Sequence, residues 1–307
     1  MSPRESAGRT TSAGKKARTS AGGHAGRSAP GEKTGASRTC RIGPVTIGDG
    51  TLALIAGPCM AEDLDLCLRV ATTLAEVCRK LGIGYIFKAS YDKANRTAAD
   101  AYRGPGLEQG LAWLAEVRRQ VGCPVLSDVH EVSQCQRAGE VLDCLQIPAF
   151  LCRQTDLIVA AARTGRAINI KKGQFMAPWD MGNAVEKARA AGNDNIFLTE
   201  RGTCFGYNRL MTDFRGLLQM RQFAPICFDA THSIQEPGGL GSASGGRREF
   251  AEPLARAAMA VGADALFVET HVNPDQAKSD AASQVPLEEM PSLIERSLKF
   301  FDLARRS

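Results

Sequence analysis

Eight short apolar, β-branched runs recur along this chain, and stretches with helical spacing separate them. The runs are "LALIA" (52–56), "YIFKAS" (85–90), "PVLSDV" (124–129), "DCLQIP" (143–148), "AINIKK" (167–172), "IFLTE" (196–200), "PICFDA" (225–230) and "ALFVET" (265–270). Between them lie segments such as "LDLCLRVATTLAEVCRKLG" and "GLEQGLAWLAEVRRQVG", whose apolar residues repeat at three- and four-residue intervals and whose last residue is a glycine suited to a helix C-terminus. Eight strands alternating with helices predict an α/β fold, a parallel (β/α)8 TIM barrel of the kind that fills about 250 residues. A doubly wound open sheet is the alternative, because strand count alone does not establish closure. The segment "TCRIGPVTIGDG" before the first run reads as a short N-terminal β-hairpin placed to plug the bottom of a barrel.

The chain divides into a tail, residues 1–40, and a catalytic barrel domain, residues 41–307. Nine Lys or Arg and only two Glu lie at or before Arg41, and subtracting that excess of seven from the chain's +5 leaves −2 for the rest. The tail is built from Ser, Gly, Ala, Thr and basic residues with no hydrophobic period, so it cannot offset its ordering entropy by burying apolar surface and reads as disordered. It lacks the apolar centre of a secretory signal; a solvated tail is preferred to a transit peptide, and nucleic-acid binding is a minor alternative. No apolar run approaches the roughly 20 residues of a membrane span. The ten cysteines are dispersed and form no C-x-x-C pair, which argues against a disulfide framework or a closed structural zinc site and for reduced core thiols.

In a barrel of this kind the chemistry sits at the carboxyl ends of the strands. Cys59 follows run 1, Lys88 ends run 2 with Lys93 beyond it, Asp128 lies on run 3 and Gln146 on run 4. Lys171 and Lys172 end run 5, Arg201 follows run 6, His232 follows run 7, and Glu269 ends run 8. A single lysine at a strand end is ordinarily one emerging into solvent; such groups at all eight strand ends of one rim point to a site. The cations Lys88, Lys93, Arg96, Lys171 and Arg201 suit a multiply anionic phosphate or carboxylate ligand. Cys59, His232, Glu269 and Asp280 form a mixed sulfur, nitrogen and oxygen set suited to a divalent first-row metal with exchangeable positions, each residue taken alone being more ordinary than that.

The stretches "FKASYDKANRTAADAYRGPGLEQGL", "SDVHE", "IPAFLCRQTDL", "NIKKGQFMAPWDMGN", "ERGTCFGYN", "FDATHSIQEPGG" and "SGGRREF" resemble, in this order, the 3-deoxy-D-manno-octulosonate 8-phosphate synthase family over about residues 43–305. The resemblance implies a (β/α)8 barrel, usually a homotetramer, that condenses phosphoenolpyruvate with D-arabinose 5-phosphate and releases phosphate. Its product feeds the inner core of bacterial lipopolysaccharide, so the resemblance also implies a cytoplasmic enzyme. By the same resemblance Lys88, Lys93, Gln146, Lys171 and Arg201 hold phosphoenolpyruvate. Asn95, Arg96, Thr97, Phe150, Arg153 and Ser244 serve arabinose 5-phosphate, with Phe150 and Arg153 on a loop that reaches a neighbouring subunit's site. Lys88, Lys93, Asp128 and His232 are the catalytic candidates, Asp128 orienting sugar or water.

Members of that family that work without metal carry asparagine after "AGP". Here the residue is Cys59, with His232, Glu269 and Asp280 at the other ligand positions, so the resemblance implies the metal-dependent class and a cofactor drawn from iron, zinc, manganese or cobalt. Alanine follows Asp280 where the family often has glycine, which puts the geometry of that ligand in question. The glycine-rich "PGGLGSASGGRR" (237–248) lacks the spacing and placement of a dinucleotide fingerprint and reads instead as a lid with Ser244 or Arg247 near phosphate. Three rivals remain: the sister 3-deoxy-D-arabino-heptulosonate 7-phosphate synthase, which shows Lys-Pro-Arg where this chain has "KANR"; a Schiff-base aldolase using Lys88 or Lys171; and a binding protein without catalysis.

Overall fold

The computed structural model describes residues 39–306 except 97, 99, 205, 206 and 239–244. The expected tail therefore lies outside the described residues save its last two, of which Cys40 already opens a strand. Thr97 and Ser244 lie outside them as well. Among the described residues, eight parallel strands alternate with eight helices. They run β1 (Ala53–Gly57), α1 (Leu64–Leu81), β2 (Gly84–Lys88), α2 (Leu107–Val121), β3 (Val125–Asp128), α3 (Val132–Val141), β4 (Cys144–Ile147) and α4 (Thr155–Arg163). The second half continues with β5 (Ala167–Lys171), α5 (Met181–Ala190), β6 (Ile196–Glu200), α6 (Arg215–Arg221), β7 (Ile226–Asp229), α7 (Ala251–Val261), β8 (Ala265–His271) and α8 (Met290–Arg306).

Each strand from β2 onward pairs with its predecessor, and β8 pairs also with β1, which closes the sheet into the expected barrel and excludes the open doubly wound alternative. The closing register sets Ala53 beside Ala265 and Gly57 beside Glu269. Helix boundaries follow local chemistry. The Asp63 carboxylate accepts the Leu66 N–H at 2.7 Å to cap α1, and Gly82, at φ 67°, closes it by donating to the last carbonyls. The buried stripe of α1, Cys67, Val70, Ala71, Leu74 and Cys78, has the spacing of one helical face.

Alternation along the strands splits the core in two. Leu54, Ala56, Phe87, Leu145 and Ile168 face outward and pack with the helices. Ala53, Ile55, Ile86, Leu126, Cys144, Ala167, Phe197, Cys227, Ala265 and Phe267 face inward and pack with Cys40, Ile42, Val45 and Ile47. Those four residues belong to the expected hairpin, Cys40–Ile42 against Val45–Ile47, which stoppers the lower end of the barrel. Asn195 just before β6 clamps it, its side chain accepting the Arg41 N–H and donating to the Arg41 carbonyl, both at 2.7 Å. Burying an inward side chain such as Phe197 or Phe267 contributes roughly 1.5–3 kcal/mol. Nine of the ten cysteines are buried free thiols, and burial pushes Cys67 and Cys78 up to about 12. Cys59 apart, they are packing residues, as the dispersed spacing implied.

Candidate active site

Two residues above the inward apolar layer, the same face of strands β2 to β8 turns polar, while on β1 Ile55 is followed by Gly57. Ile86 gives way to Lys88, Leu126 to Asp128, Cys144 to Gln146, Ala167 to Asn169 and then Lys171, Phe197 to Thr199 and then Arg201, Cys227 to Asp229, and Phe267 to Glu269. The lower part of this ring satisfies itself: Thr199 donates to Asn169 Oδ1 at 2.8 Å and Asn169 Nδ2 donates to Gln146 Oε1 at 3.1 Å. Above it opens a cavity of about 610 Å³. Six cationic side chains, Lys88, Lys93, Arg96, Lys171, Arg201 and Lys278, share its wall with two acidic ones, Asp128 and Asp280. The excess of positive charge in a partly dry pocket is complementary to phosphate and carboxylate groups.

Two buried ion pairs order the floor. Lys88 Nζ donates to Glu269 Oε1 at 2.9 Å and to the Cys59 carbonyl and Ser90 Oγ. Lys171 Nζ donates to Asp229 Oδ2 at 2.6 Å and rests 3.9 Å from the centre of the Phe267 ring. Burial lowers the Lys171 pKa despite its partner Asp229. Burial alone would raise Asp229 and Glu269, yet His232 and the surrounding lysines hold both well below the usual carboxylate range. His232 Nδ1 lies 2.7 Å from Asp229 Oδ2, off the line of a straight hydrogen bond, and its Nε2 lies 3.7 Å from Glu269 Oε1. Lys93 is half-buried; burial opposes its charge, but the negative forms of Cys59, Glu269, Asp128 and Asp280 raise its pKa above the ordinary lysine value. Arg201 donates to Gln235 Oε1 at 3.0 Å and keeps a buried Nη1 without a partner.

Beneath the cavity the structure brings together Cys59, Glu269 and Asp280, whose ligand atoms all lie within 4.8 Å of one another. Cys59 Sγ is 3.2 Å from Asp280 Oδ2 and 3.1 Å from Ser279 Oγ. Burial and these two carboxylates raise the thiol's pKa well above its usual value. Glu269 Oε2 is buried without a partner. His232, the fourth expected ligand, borders this group through Glu269 without joining it. The "AGP" turn makes the arrangement possible: a Cβ on Gly57 would stand 2.1 Å from the Lys88 carbonyl oxygen, so only glycine lets β1 and β2 approach here. Asp280 adopts φ 50°, a left-handed conformation that aspartate tolerates. Gln284 pins both loops, accepting the Cys59 N–H at 3.1 Å and donating to the Ser279 carbonyl at 2.8 Å.

Asn95, Arg96 and Phe150 also line the cavity, and Phe150 is 53% exposed. Arg96 is held by the Tyr102 carbonyl, Ser279 Oγ and the Lys278 carbonyl. Arg153 is exposed and does not line the cavity of its own chain, and Arg247 pairs with Glu249 instead of facing it. Lys172 does not reach the rim as expected. One step along the strand from Lys171, it faces the opposite way, fully buried against the Gly173 and Gly202 carbonyls, Thr203 Oγ1 and, at 3.6 Å, Glu200. Sequence reasoning overlooked His130, whose Nε2 lies 2.9 Å from Asp128 Oδ2 and whose pKa rises because that carboxylate outweighs the lowering effect of burial. The spacing in "SDVHE" was the available signal, since residues two apart in extended chain share a face. Gln174, Gln235 and Ser279 also line the cavity and carried no signal of their own.

The DAHP synthetase I family matches residues 27–301. A 2-dehydro-3-deoxyphosphooctonate aldolase of Syntrophotalea carbinolica is 55% identical over 262 residues, covering 85% of this chain and 95% of that protein. The protein of the same name from Desulfotalea psychrophila is 54% identical, covering 83% of this chain and 92% of its own. That of Brucella ovis is 52% identical, covering 88% and 98%. The chain therefore belongs to the DAHP synthetase I family and, within it, to the 2-dehydro-3-deoxyphosphooctonate aldolases.

Proposed function

We propose that this chain condenses phosphoenolpyruvate with D-arabinose 5-phosphate and water to give 3-deoxy-D-manno-octulosonate 8-phosphate and phosphate, the step that supplies the lipopolysaccharide inner core. The observation that carries the reading is the cavity over the strand ends, whose six cations can hold two repelling phosphorylated substrates in contact. The relatives' name favours the eight-carbon product over the seven-carbon product of the sister enzyme. A Schiff-base aldolase is disfavoured because Lys88 and Lys171, its candidate nucleophiles, are both committed to buried carboxylates.

In this reading Lys88, Lys93, Gln146, Lys171 and Arg201 receive the carboxylate and phosphate of phosphoenolpyruvate, and the unpartnered Arg201 Nη1 is the readiest donor. Asn95 and Arg96, with Thr97 and Ser244, receive the sugar and its phosphate. Carbon 3 of phosphoenolpyruvate attacks the aldehyde while water adds at carbon 2, and the hemiketal loses phosphate by C–O cleavage. The Asp128 Oδ1 atom, buried and without a partner, faces this space to orient a sugar hydroxyl or the water while His130 holds Oδ2. His232 Nε2 is the base or acid nearest the Glu269 side of the site.

Cys59, Glu269 and Asp280 fit a divalent cation, since three ligand atoms converge and Glu269 Oε2 has no other partner; His232 would complete the set after a small ring movement. Such an ion would supply a local positive charge that orients and polarises aldehyde or water. Phe150, Phe175, Trp179 and Tyr207 are exposed on the loops after β4, β5 and β6, which supports assembly into a homotetramer with the Phe150–Arg153 loop entering a neighbour's site. No helix among the described residues is long and apolar enough to cross a membrane.

The test is phosphate release from phosphoenolpyruvate with arabinose 5-phosphate or erythrose 4-phosphate, before and after chelation. Turnover with the five-carbon sugar, lost on chelation and restored by a divalent ion, is expected. Turnover with the four-carbon sugar alone would overturn the substrate, and full activity of the stripped protein would overturn the metal.

A further inference from the structure

Arg96 and Cys59 belong to opposite halves of the proposed site, yet one side chain touches both. Ser279 Oγ accepts from Arg96 Nη1 at 3.0 Å and lies 3.1 Å from Cys59 Sγ. Ser279 is 4% exposed, and its backbone carbonyl is held by Gln284, the same side chain that receives the Cys59 N–H. The preceding residue is tied down as well: Lys278 offers its N–H to Glu62 Oε1 at 2.8 Å and its carbonyl to Arg96 Nη2 at 3.2 Å. The following residue is Asp280, whose carboxylate contacts Cys59. Residues 278–280 are therefore one short rigid segment with Arg96 on one side and the Cys59 thiol on the other.

We infer that Ser279 is a positioning residue that couples occupation of the sugar-phosphate subsite to cation binding at Cys59, Glu269 and Asp280. The inference deepens the proposed function and rests on its assignment of Arg96 to sugar phosphate and of Cys59 to a metal. A hydroxyl has two acceptor sites and one donor. In the metal-free protein the Cys59 thiol and Arg96 both donate to Ser279 Oγ; once the thiol gives up its proton to a bound cation, the Ser279 hydroxyl, polarised by the guanidinium, can turn its own hydrogen to the thiolate. The guanidinium has five N–H groups. Arg96 spends three of them on Tyr102, Ser279 and Lys278, leaving one on each terminal nitrogen, and it lines the cavity. A phosphate bound there fixes Arg96 without displacing it from Ser279. Fixing Arg96 immobilises the 278–280 segment and so preorganises two of the cation's ligands. Coupling of this kind is positive and, because it is a property of the equilibrium, reciprocal.

The experiment uses the full-length protein stripped of metal. Co2+ is titrated by the absorbance of its thiolate charge-transfer band, with and without D-arabinose 5-phosphate, for the wild type, Ser279→Ala and Ser279→Thr. Wild type should bind Co2+ about fivefold or more tightly in the presence of the sugar phosphate. Ser279→Ala should still show the band but respond to the sugar by less than about twofold, and the hydroxyl of Ser279→Thr should restore the response. Calorimetry on wild type should find arabinose 5-phosphate tightened by Co2+ by the same factor, which tests the inference even if the alanine variant fails to fold. A band in wild type that ignores the sugar phosphate overturns the coupling and leaves the metal assignment standing. Undiminished coupling in Ser279→Ala overturns the role of Ser279. Absence of any thiolate band in wild type overturns the metal assignment and the inference with it.

Discussion

Asp229 Oδ2 lies 2.6 Å from Lys171 Nζ and 2.7 Å from His232 Nδ1, so one buried carboxylate oxygen orients both a cavity lysine and the histidine beside Glu269. Removing its charge leaves a buried ammonium uncompensated and frees the imidazole. Asp229→Asn should lower kcat by on the order of 100-fold and destabilise the fold by about 3 kcal/mol. Steady-state kinetics and urea unfolding measure the two effects, and a loss of less than about threefold in kcat would count against the orienting role.

The approach of β1 to β2 at Gly57 gives a second expectation. Adding one methyl at a point 2.1 Å from the Lys88 carbonyl forces backbone apart, and that backbone carries Lys88. Gly57→Ala should cost roughly 3 kcal/mol and depress activity in whatever protein folds. Thermal unfolding decides the matter; a melting temperature unchanged within about 2 °C would mean that the strands can separate freely.

Lys172 and Glu200 make a buried pair on the outer side of β5 and β6, away from the cavity. Burial lowers the lysine's pKa and raises that of Glu200, so each depends on its partner to stay charged. Lys172→Met should destabilise by about 3 kcal/mol, and Lys172→Met with Glu200→Gln by clearly less. Glu200→Gln alone completes the cycle, and a double variant whose cost in denaturant melts equals the sum of the two single costs would show that the pair carries no coupling.

The Asp128–His130 pair links stability to pH. His130 has a raised pKa, so its contribution is complete below the ordinary histidine value and fades as pH rises through the raised one. Asp128 is held well below its ordinary value: burial opposes this, but His130 and the lysines Lys88 and Lys93 outweigh it, so its contribution fades only as pH falls through that lowered value. The stability gap between wild type and His130→Gln should therefore be wide near about pH 6 and narrow by about pH 9. Calorimetric melting across that range is the measurement, and a gap independent of pH would contradict the charge pairing.

The strands were legible because each is a buried run that must alternate between barrel interior and helix layer, and observed bounds differ from the apolar runs by at most two residues. The cations Lys88, Lys171 and Arg201 were legible for the same reason, as inward residues at strand ends. Alternation also explains the error at Lys172, because a one-residue step along β5 reverses the side chain's direction. The two-residue ribbons Thr203–Cys204 with Leu210–Met211 and Gln235–Glu236 with Gly245–Gly246 have no periodicity long enough to read. Ser279 was invisible because its meaning comes from Arg96 and Cys59, both about 200 residues distant in sequence. Arg153, expected at the site, is exposed and stands outside the cavity lining of its own chain.

The layering inside the barrel separates two kinds of mutational risk within a single strand. On β2, β3, β7 and β8 the stoppered layer and the reactive ring are one alternation apart, as at Ile86 and Lys88 or Phe267 and Glu269. A lineage could exchange residues of the ring and of the loops above it, Asn95 and Arg96 among them, while leaving the hairpin-sealed base untouched. Selectivity in this chain is thus free to drift on a foundation whose composition need not follow.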